Sequence, residues 1–198
     1  MTCRASLLQK LTDQFMKKAN NPIVSLILGI AVLGLPVAAR AAGAAQIEQN
    51  ARAAARQLYA NNPEARALAR EAEAVLIFPD IVKAGFVLGG SFGEGALLEH
   101  GHISGFYSTA AASYGFQAGM EKYGYALFFM DHEALSYLKR SRGWAIGAGP
   151  SVTILNKGFA KQFSTTSLQK GVYAIFFNQQ GLMGGAALQG SKITRIFP

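Results

Sequence analysis

Two short stretches decide how this chain folds: Tyr125–Met130 reads YALFFM and Tyr173–Asn178 reads YAIFFN. Successive side chains of a strand point to opposite faces, so a strand that is apolar at nearly every position needs cover on both. Strands of this kind belong in the middle of a covered sheet or on the wall of a closed one. The two stretches are close copies. One follows Lys122-Tyr123-Gly124, the other Lys170-Gly171, and each leads into a polar turn. The match hints at a duplicated strand unit but is too short to establish one.

Working outward, Ala84–Phe92, Ala96–His100, Ile103–Ser108, Ser113–Met120, Trp144–Leu155 and Ala186–Ile196 are further apolar or aromatic runs that read as strands after Pro79. Turn-type residues such as His100-Gly101 and Gln180-Gly181 separate them. Helical spacing appears at the other end of the mature chain. Ile47, Ala51, Ala54, Ala55 and Leu58 form one apolar stripe, and Ala65, Leu68, Ala69 and Ala72 form a second. Asn62-Pro63 between them reads as an N-cap followed by proline at the first helical position. One more short helix is expected over Asp131–Ser141, with Asp131 as its cap and Gly143 just past its end. The fold class is therefore α+β: a curved, mainly antiparallel sheet, open or partly closed, with two N-terminal helices and one internal helix.

The first forty residues read as an address. Ile23–Ala39 (IVSLILGIAVLGLPVAA) is an apolar run behind Lys17 and Lys18, and small residues offer cleavage after Ala39, Ala41 or Ala44. Basic head, apolar middle and small-residue exit are the parts of a secretory signal. Gly29, Gly34 and Pro36 weaken the run as a spanning helix. Met16-Lys17-Lys18 offers a second translation start. No cysteine stands at the exit, so no lipid anchor is expected. Residues 1–41 are read as the signal and 42–198 as one domain, with leading helices over 42–76 and a sheet-rich body over 77–198. The mature protein is then periplasmic or secreted.

Composition agrees with a folded binding module. The 198 residues are 51% hydrophobic and 15% charged, with 22 Gly, 13 Phe and 7 Tyr, which excludes a disordered chain. Of the formal +8, five cations against Asp13 place +4 in residues 1–41, leaving +4 for the rest. That suits an anionic membrane surface and falls short of a nucleic-acid binder. Cys3 is the only cysteine, so once the signal is removed no disulfide, zinc thiolate or thiol nucleophile is expected, and no cofactor is called for.

AVLIFPDIVKAGFVLGGSFGEGALL (74–98), SYGFQAG (113–119), ALFFMDHEALSYL (126–138) and GVYAIFFNQQGLMGGAALQGSKI (171–193) together resemble the SYLF lipid-binding domain family. That family is known from eukaryotic trafficking and actin-associated proteins and from exported bacterial ones. The resemblance implies binding to anionic lipids such as phosphoinositides or phosphatidic acid and, in some eukaryotic members, to actin filaments, so a protein partner is a further expectation. A helix ahead of the domain assists membrane contact in some members, and residues 46–60 occupy the matching place. This sequence has neither the SH3 nor the FYVE module of the eukaryotic members. The lipid role needs only the domain and a nearby membrane.

Candidate lipid-facing residues follow from charge. Arg52 and Arg56 are an i, i+4 pair of like charge on the first helix, which a nearby anion would relieve. A solvated face with Glu48 is the plainer alternative, and Arg66 and Arg70 repeat the pattern. Lys139, Arg140 and Arg142 end the internal helix, where cations also complement the helix dipole. Lys157, Phe159 and Lys161 place an aromatic between two cations on a loop. At about 1 kcal/mol per cation near an anionic surface, five of them give roughly 5 kcal/mol, only sub-millimolar binding. Apolar insertion has to add the rest.

Two chemical readings compete. LGGSFGEG (88–95) is glycine-rich but lacks the G-K-[ST] ending of a phosphate loop and runs in the reverse order of a dinucleotide motif. A bend or close backbone packing is expected there. Glu99, His100 and His102 are the best start for a metal-dependent hydrolase, with Asp131, His132 and Glu133 as further ligands, although His100-Gly101 also reads as a turn.

Overall fold

The computed structural model describes residues 43–85, 88–114, 119–155, 171–181 and 190–198. Its elements run α1 (Ala44–Asn61), α2 (Pro63–Glu71), β1 (Ala74–Gly85), β2 (Leu88–Glu99), β3 (His102–Tyr114), β4 (Gly119–Phe129), α3 (His132–Arg140), β5 (Trp144–Ala145), β6 (Val152–Leu155), β7 (Val172–Gly181) and β8 (Lys192–Ile196). The strands make one sheet in the order β5-β8-β3-β2-β1-β4-β7-β6, curled into a half-barrel. Every pairing is antiparallel except β6 with β7. This is the α+β class expected, with its two leading helices and one internal helix.

The two near-copies are neighbours. β4 and β7 pair so that Ala126 faces Ile175 and Leu127 faces Ala174, while Phe128 faces Tyr173. Each alanine thus lies beside a large aliphatic, which fills the surface without crowding. Tyr125 to Phe129 and Val172 to Ile175 are all buried, because both faces of these strands are covered. On one face Val75, Ile77, Ala126, Phe128, Tyr173 and Ile175 pack with Ala54, Ala55 and Leu58 of α1 and Ala65 and Leu68 of α2. Farther along α1, Ile47 and Ala51 meet Ala96. On the other face Leu76, Phe78, Leu97, Tyr107, Tyr125, Leu127 and Phe129 pack with Ala134, Leu135 and Leu138 of α3 and with Trp144.

Capping places the helices where expected. The Ala65 amide donates to Asn62 Oδ1 at 2.8 Å, with Pro63 next in line, and the Ala134 amide donates to Asp131 Oδ1 at 2.8 Å. The second Asp131 oxygen accepts from the Gly171 amide, so one carboxylate both starts α3 and fixes the entry to β7.

Curvature comes from a line of irregularities across the sheet. The register shifts between Ile77 and Asp80 against β2, between Phe78 and Ile81 against β4, and between Lys122 and Gly124 against β7. Pro79 therefore lies in a bulge of a central strand, where its missing N–H breaks no ladder bond. Bulged backbone crowds its neighbours, and glycines receive it. A Cβ on Gly93 would stand 2.6 Å from the Asp80 carbonyl oxygen, and one on Gly124 would stand 2.7 Å from that of Pro79. The glycine-rich stretch is thus close backbone packing, as expected, and not a phosphate loop.

Several boundaries differ from the sequence reading. The leading helices end at Glu71 and β1 already starts at Ala74, so the division at 76/77 falls inside a strand. Pro79 looked like punctuation and is instead part of a bulge. Ala84–Phe92 and Ser113–Met120 were each expected as one strand, but each spans the junction of two. The run Trp144–Leu155 divides into β5 and β6 because Gly147 and Gly149 turn the chain at φ 105° and 94°. Of Ala186–Ile196, the described strand begins at Lys192. The leader, residues 1–41, lies outside the described residues. Among the described residues no helix is long and apolar enough to cross a membrane.

Candidate functional site

The expected basic residues separate into tied and untied groups. Arg52 is tied: its Nε lies 2.8 Å from Glu48 Oε1, and its Nη1 donates to the Gly101 carbonyl at 2.9 Å. Arg66 is tied as well, donating to the Tyr59 carbonyl at 2.8 Å and so closing the end of α1. Arg56, four residues after Arg52, is exposed and makes no ion pair among the described residues. The like-charged pair on α1 is thus relieved by protein groups at Arg52 and left open at Arg56.

At the end of α3, Lys139 Nζ sits 2.7 Å from both oxygens of Glu99. Burial pushes the Glu99 carboxyl up, but the hydrogen bonds from Lys139 and Ser104 and the charges of Lys139 and His100 outweigh it and hold the group below its ordinary range. The β2–β3 turn is therefore clasped from two sides, by Arg52 of α1 at Gly101 and by Lys139 of α3 at Glu99. Arg140 and Arg142 are exposed and have no carboxylate partner among the described residues.

Two cations that the sequence did not single out stand on opposite faces of β8, Lys192 beside Ala110 and Arg195 beside Tyr107. Lys192 of β8 runs alongside the loop after α3, so that a Cβ on Gly143 would stand 3.5 Å from its Nζ. Arg195 lies over the Phe197 ring at 5.3 Å from the centroid, and its Nε approaches Gly105, where a Cβ would be 3.6 Å away. Phe197 is 85% exposed. An open cleft of about 370 Å³ runs between Ile103–Phe106 and Arg195–Pro198. Burial raises the Tyr107 hydroxyl pKa; the Arg195 charge opposes the rise and the Glu99 charge adds to it. Lys192 and Arg195 were missed because an isolated cation on a strand carries no periodic signal. Only the register of β8 with β3 shows what they stand beside. Lys157, Phe159 and Lys161 lie outside the described residues.

The metal reading loses its acid. His100 and Gly101 have φ of 49° and 82°, which makes them the two central residues of a tight hairpin between the Glu99–His102 pair. Glu99 serves Lys139 and Ser104, not an imidazole. His132 faces Glu73 at 3.6 Å, and Asp131 is committed to the α3 cap and Gly171. Among the described residues no three His, Cys, Asp or Glu side chains gather as metal ligands.

A search among curated proteins gave no match. Residues 110–195 match the family model described as "Ysc84: Las17-binding protein actin regulator". The match takes in the end of β3, then β4, α3 and β5 to β7, and most of β8; α1, α2, β1 and β2 precede it. It therefore contains the α3 corner with Lys139, Arg140, Arg142, Lys192 and Arg195. Over these residues the chain is similar to the Ysc84 family, in line with the SYLF resemblance of its sequence.

Proposed function

We propose that this chain is an exported, non-enzymatic module that binds anionic lipid surfaces. The observation that carries the reading is the corner of α3 and β8. Arg140 and Arg142 close α3, the Lys192 side chain runs beside the loop that follows, and Arg195 lies over the exposed ring of Phe197 farther along the same strand; none of the four has a carboxylate partner among the described residues. Unneutralised cations next to an exposed aromatic favour a surface that is anionic and partly apolar, such as phosphoinositide or phosphatidic-acid headgroups over acyl chains. Arg56 on α1 adds one more open charge.

Flotation of the processed chain, residues 45–198, with phosphatidylcholine vesicles, with and without phosphatidic acid, tests the proposal. Binding should need the anionic lipid and should fall about tenfold or more in the double variant Arg140→Glu/Arg142→Glu, since each cation contributes about 1 kcal/mol. Equal recovery with neutral and anionic vesicles would refute it. Export rests on the leader of residues 1–41 and predicts a mature N-terminus just after Ala39, Ala41 or Ala44, readable by mass spectrometry of the secreted or periplasmic fraction.

The family description supports a second reading, a protein partner of the actin-regulating kind. Co-sedimentation with actin filaments at physiological salt separates the two, because a lipid-only module stays in the supernatant.

A further inference from the structure

We propose that the bare end of the sheet face that α1 and α2 cover elsewhere is a second membrane contact, one that inserts its side chains between lipid headgroups. The inference rests on the lipid reading above and assigns to it a surface that shares only Lys192 with the basic corner.

The argument comes from register. Cross-strand partners share a face, so rows of side chains can be followed across β4, β1, β2, β3 and β8. Just past the helices lies a polar row: Asp80, Glu94, Ser108 and Thr194. Next comes Lys122, Val82, Phe92, Ala110 and Lys192, an apolar centre with a lysine at each end. Farther out stand Met120, Ala84, Gly90 and Ala112. Val82, Phe92 and Met120 are 45%, 50% and 66% exposed, more than any other described large apolar side chain on this face. The order is therefore acid and hydroxyl, then aromatic with flanking lysines, then small and apolar residues. A bilayer presents the same order from water through headgroups to acyl chains. The Lys122 ammonium lies 2.9 Å from Asp80 with both side chains half exposed, so at a headgroup layer it can exchange that partner for a phosphate while its stem lies along the apolar row.

A second copy of the chain is the other occupant to weigh, and area decides against it. Four strands at about 4.8 Å spacing and two rows of residues give a patch of roughly 300 Å². A stable protein interface needs about 800 Å² from each partner. Lipid has no such threshold, because each inserted side chain contributes by itself.

The test uses the same processed chain with Phe92→Asp or Met120→Asp, floated with phosphatidylcholine vesicles containing phosphatidylglycerol. Both positions are exposed, so the melting temperature should stay unchanged while vesicle affinity falls at least about tenfold. A second measurement places an environment-sensitive fluorophore on Phe92→Cys in the processed chain, which no longer carries Cys3, with Ala53→Cys on the outer side of α1 as reference. Spin-labelled lipid should quench the probe at 92 and leave the one at 53 bright. Wild-type flotation with undiminished binding of both variants, or an unquenched probe at 92, overturns this inference alone. Failure of the wild type to float with any vesicle overturns the lipid reading and this inference with it. A wild-type dimer that Phe92→Asp converts to monomer makes the occupant a second copy and also overturns it.

Discussion

One face of one sheet is built in two ways. Near the helices β1, β2 and β4 present Val75, Ile77, Ala96, Ala126 and Phe128, all buried under α1 and α2. Beyond the bulge at Pro79 the same strands present Val82, Phe92 and Met120 to solvent. Strand propensity is alike at both ends, and only the cover differs. Burial of apolar area stabilises the first end, at about 25 cal/mol per Å², and contributes little at the second. The covered end accounts for folding, and the bare end is available for a partner. The largest consequence is an asymmetry between two phenylalanines. Phe128→Ala, in the cluster with Leu58 and Leu68, should lower unfolding free energy by about 3–5 kcal/mol. Phe92→Ala should change it by no more than about 0.5 kcal/mol. Urea denaturation of both variants checks this, and an equally large loss at Phe92 would mean that the outer end is covered after all.

Glycines sharpen the contrast at the next level. Gly95 sits where a Cβ would come within 2.9 Å of the Ile77 carbonyl carbon, with backbone on one side and the Phe78 ring on the other. Backbone cannot yield as a flexible side chain does, so Gly95→Ala should cost about 1–3 kcal/mol. Gly90 lies on the bare end, and among the described residues its only near neighbour would be the Ala111 carbonyl oxygen at 3.5 Å, an ordinary contact. Gly90→Ala should be neutral or stabilise by up to about 1 kcal/mol through the unfolded chain. Thermal melts of the two single variants would decide it. Destabilisation at Gly90 as large as at Gly95 would show that the bulge strains the whole strand and not the covered side alone.

Much of the covered end was legible in the sequence and little of the bare end was. The α1 stripe of Ile47, Ala51, Ala54, Ala55 and Leu58 matches the buried set of that helix, because a helix in contact with a sheet must repeat its apolar side every turn. Asn62 and Asp131 were legible as caps because their chemistry is local. The centrality of β4 and β7 followed from apolar residues on both faces. The breaks at the far ends were not legible: Ala84–Phe92 stays apolar or small throughout and Ser113–Met120 departs from that only at Gln117, so composition held little to read. The site was harder still. Arg52 and Arg56 look alike in sequence, and only Gly101 and Glu48 tell them apart. The lysine-flanked row is spread over five strands, with no two of its members adjacent in the chain.

A cap of intermediate size tests whether the α3 side is as firmly set as the α1 side. Asp131→Ala removes the acceptor for the Ala134 amide and the one for the Gly171 amide together. A loss of about 1–2 kcal/mol is expected. Asn62→Ala, with a single amide to satisfy, should lose about 1 kcal/mol. Equal losses would mean that the Gly171 contact adds nothing to the stability of β7.

The smallest expected effect concerns the clasp on the β2–β3 turn. The Glu99 carboxyl is held below its ordinary range in the fold, so the folded state binds its proton less readily than the unfolded chain does. The resulting stability is complete above the ordinary carboxylate range and disappears as the pH falls through the folded value. Lys139 and Glu99 are 38% and 24% exposed, so solvent screens the pair and about 0.5 kcal/mol is its expected size. A double-mutant cycle of Lys139→Met and Glu99→Gln, read by urea denaturation, should show that coupling near pH 7 and lose it as the pH falls through the folded value. The same cycle on Lys122 and Asp80, an ion pair at 2.9 Å with side chains 51% and 55% exposed, should give less at neutral pH. If the outer pair couples more strongly than the inner one, the outer rows are shielded from water even without lipid, and the bare end has a protein cover.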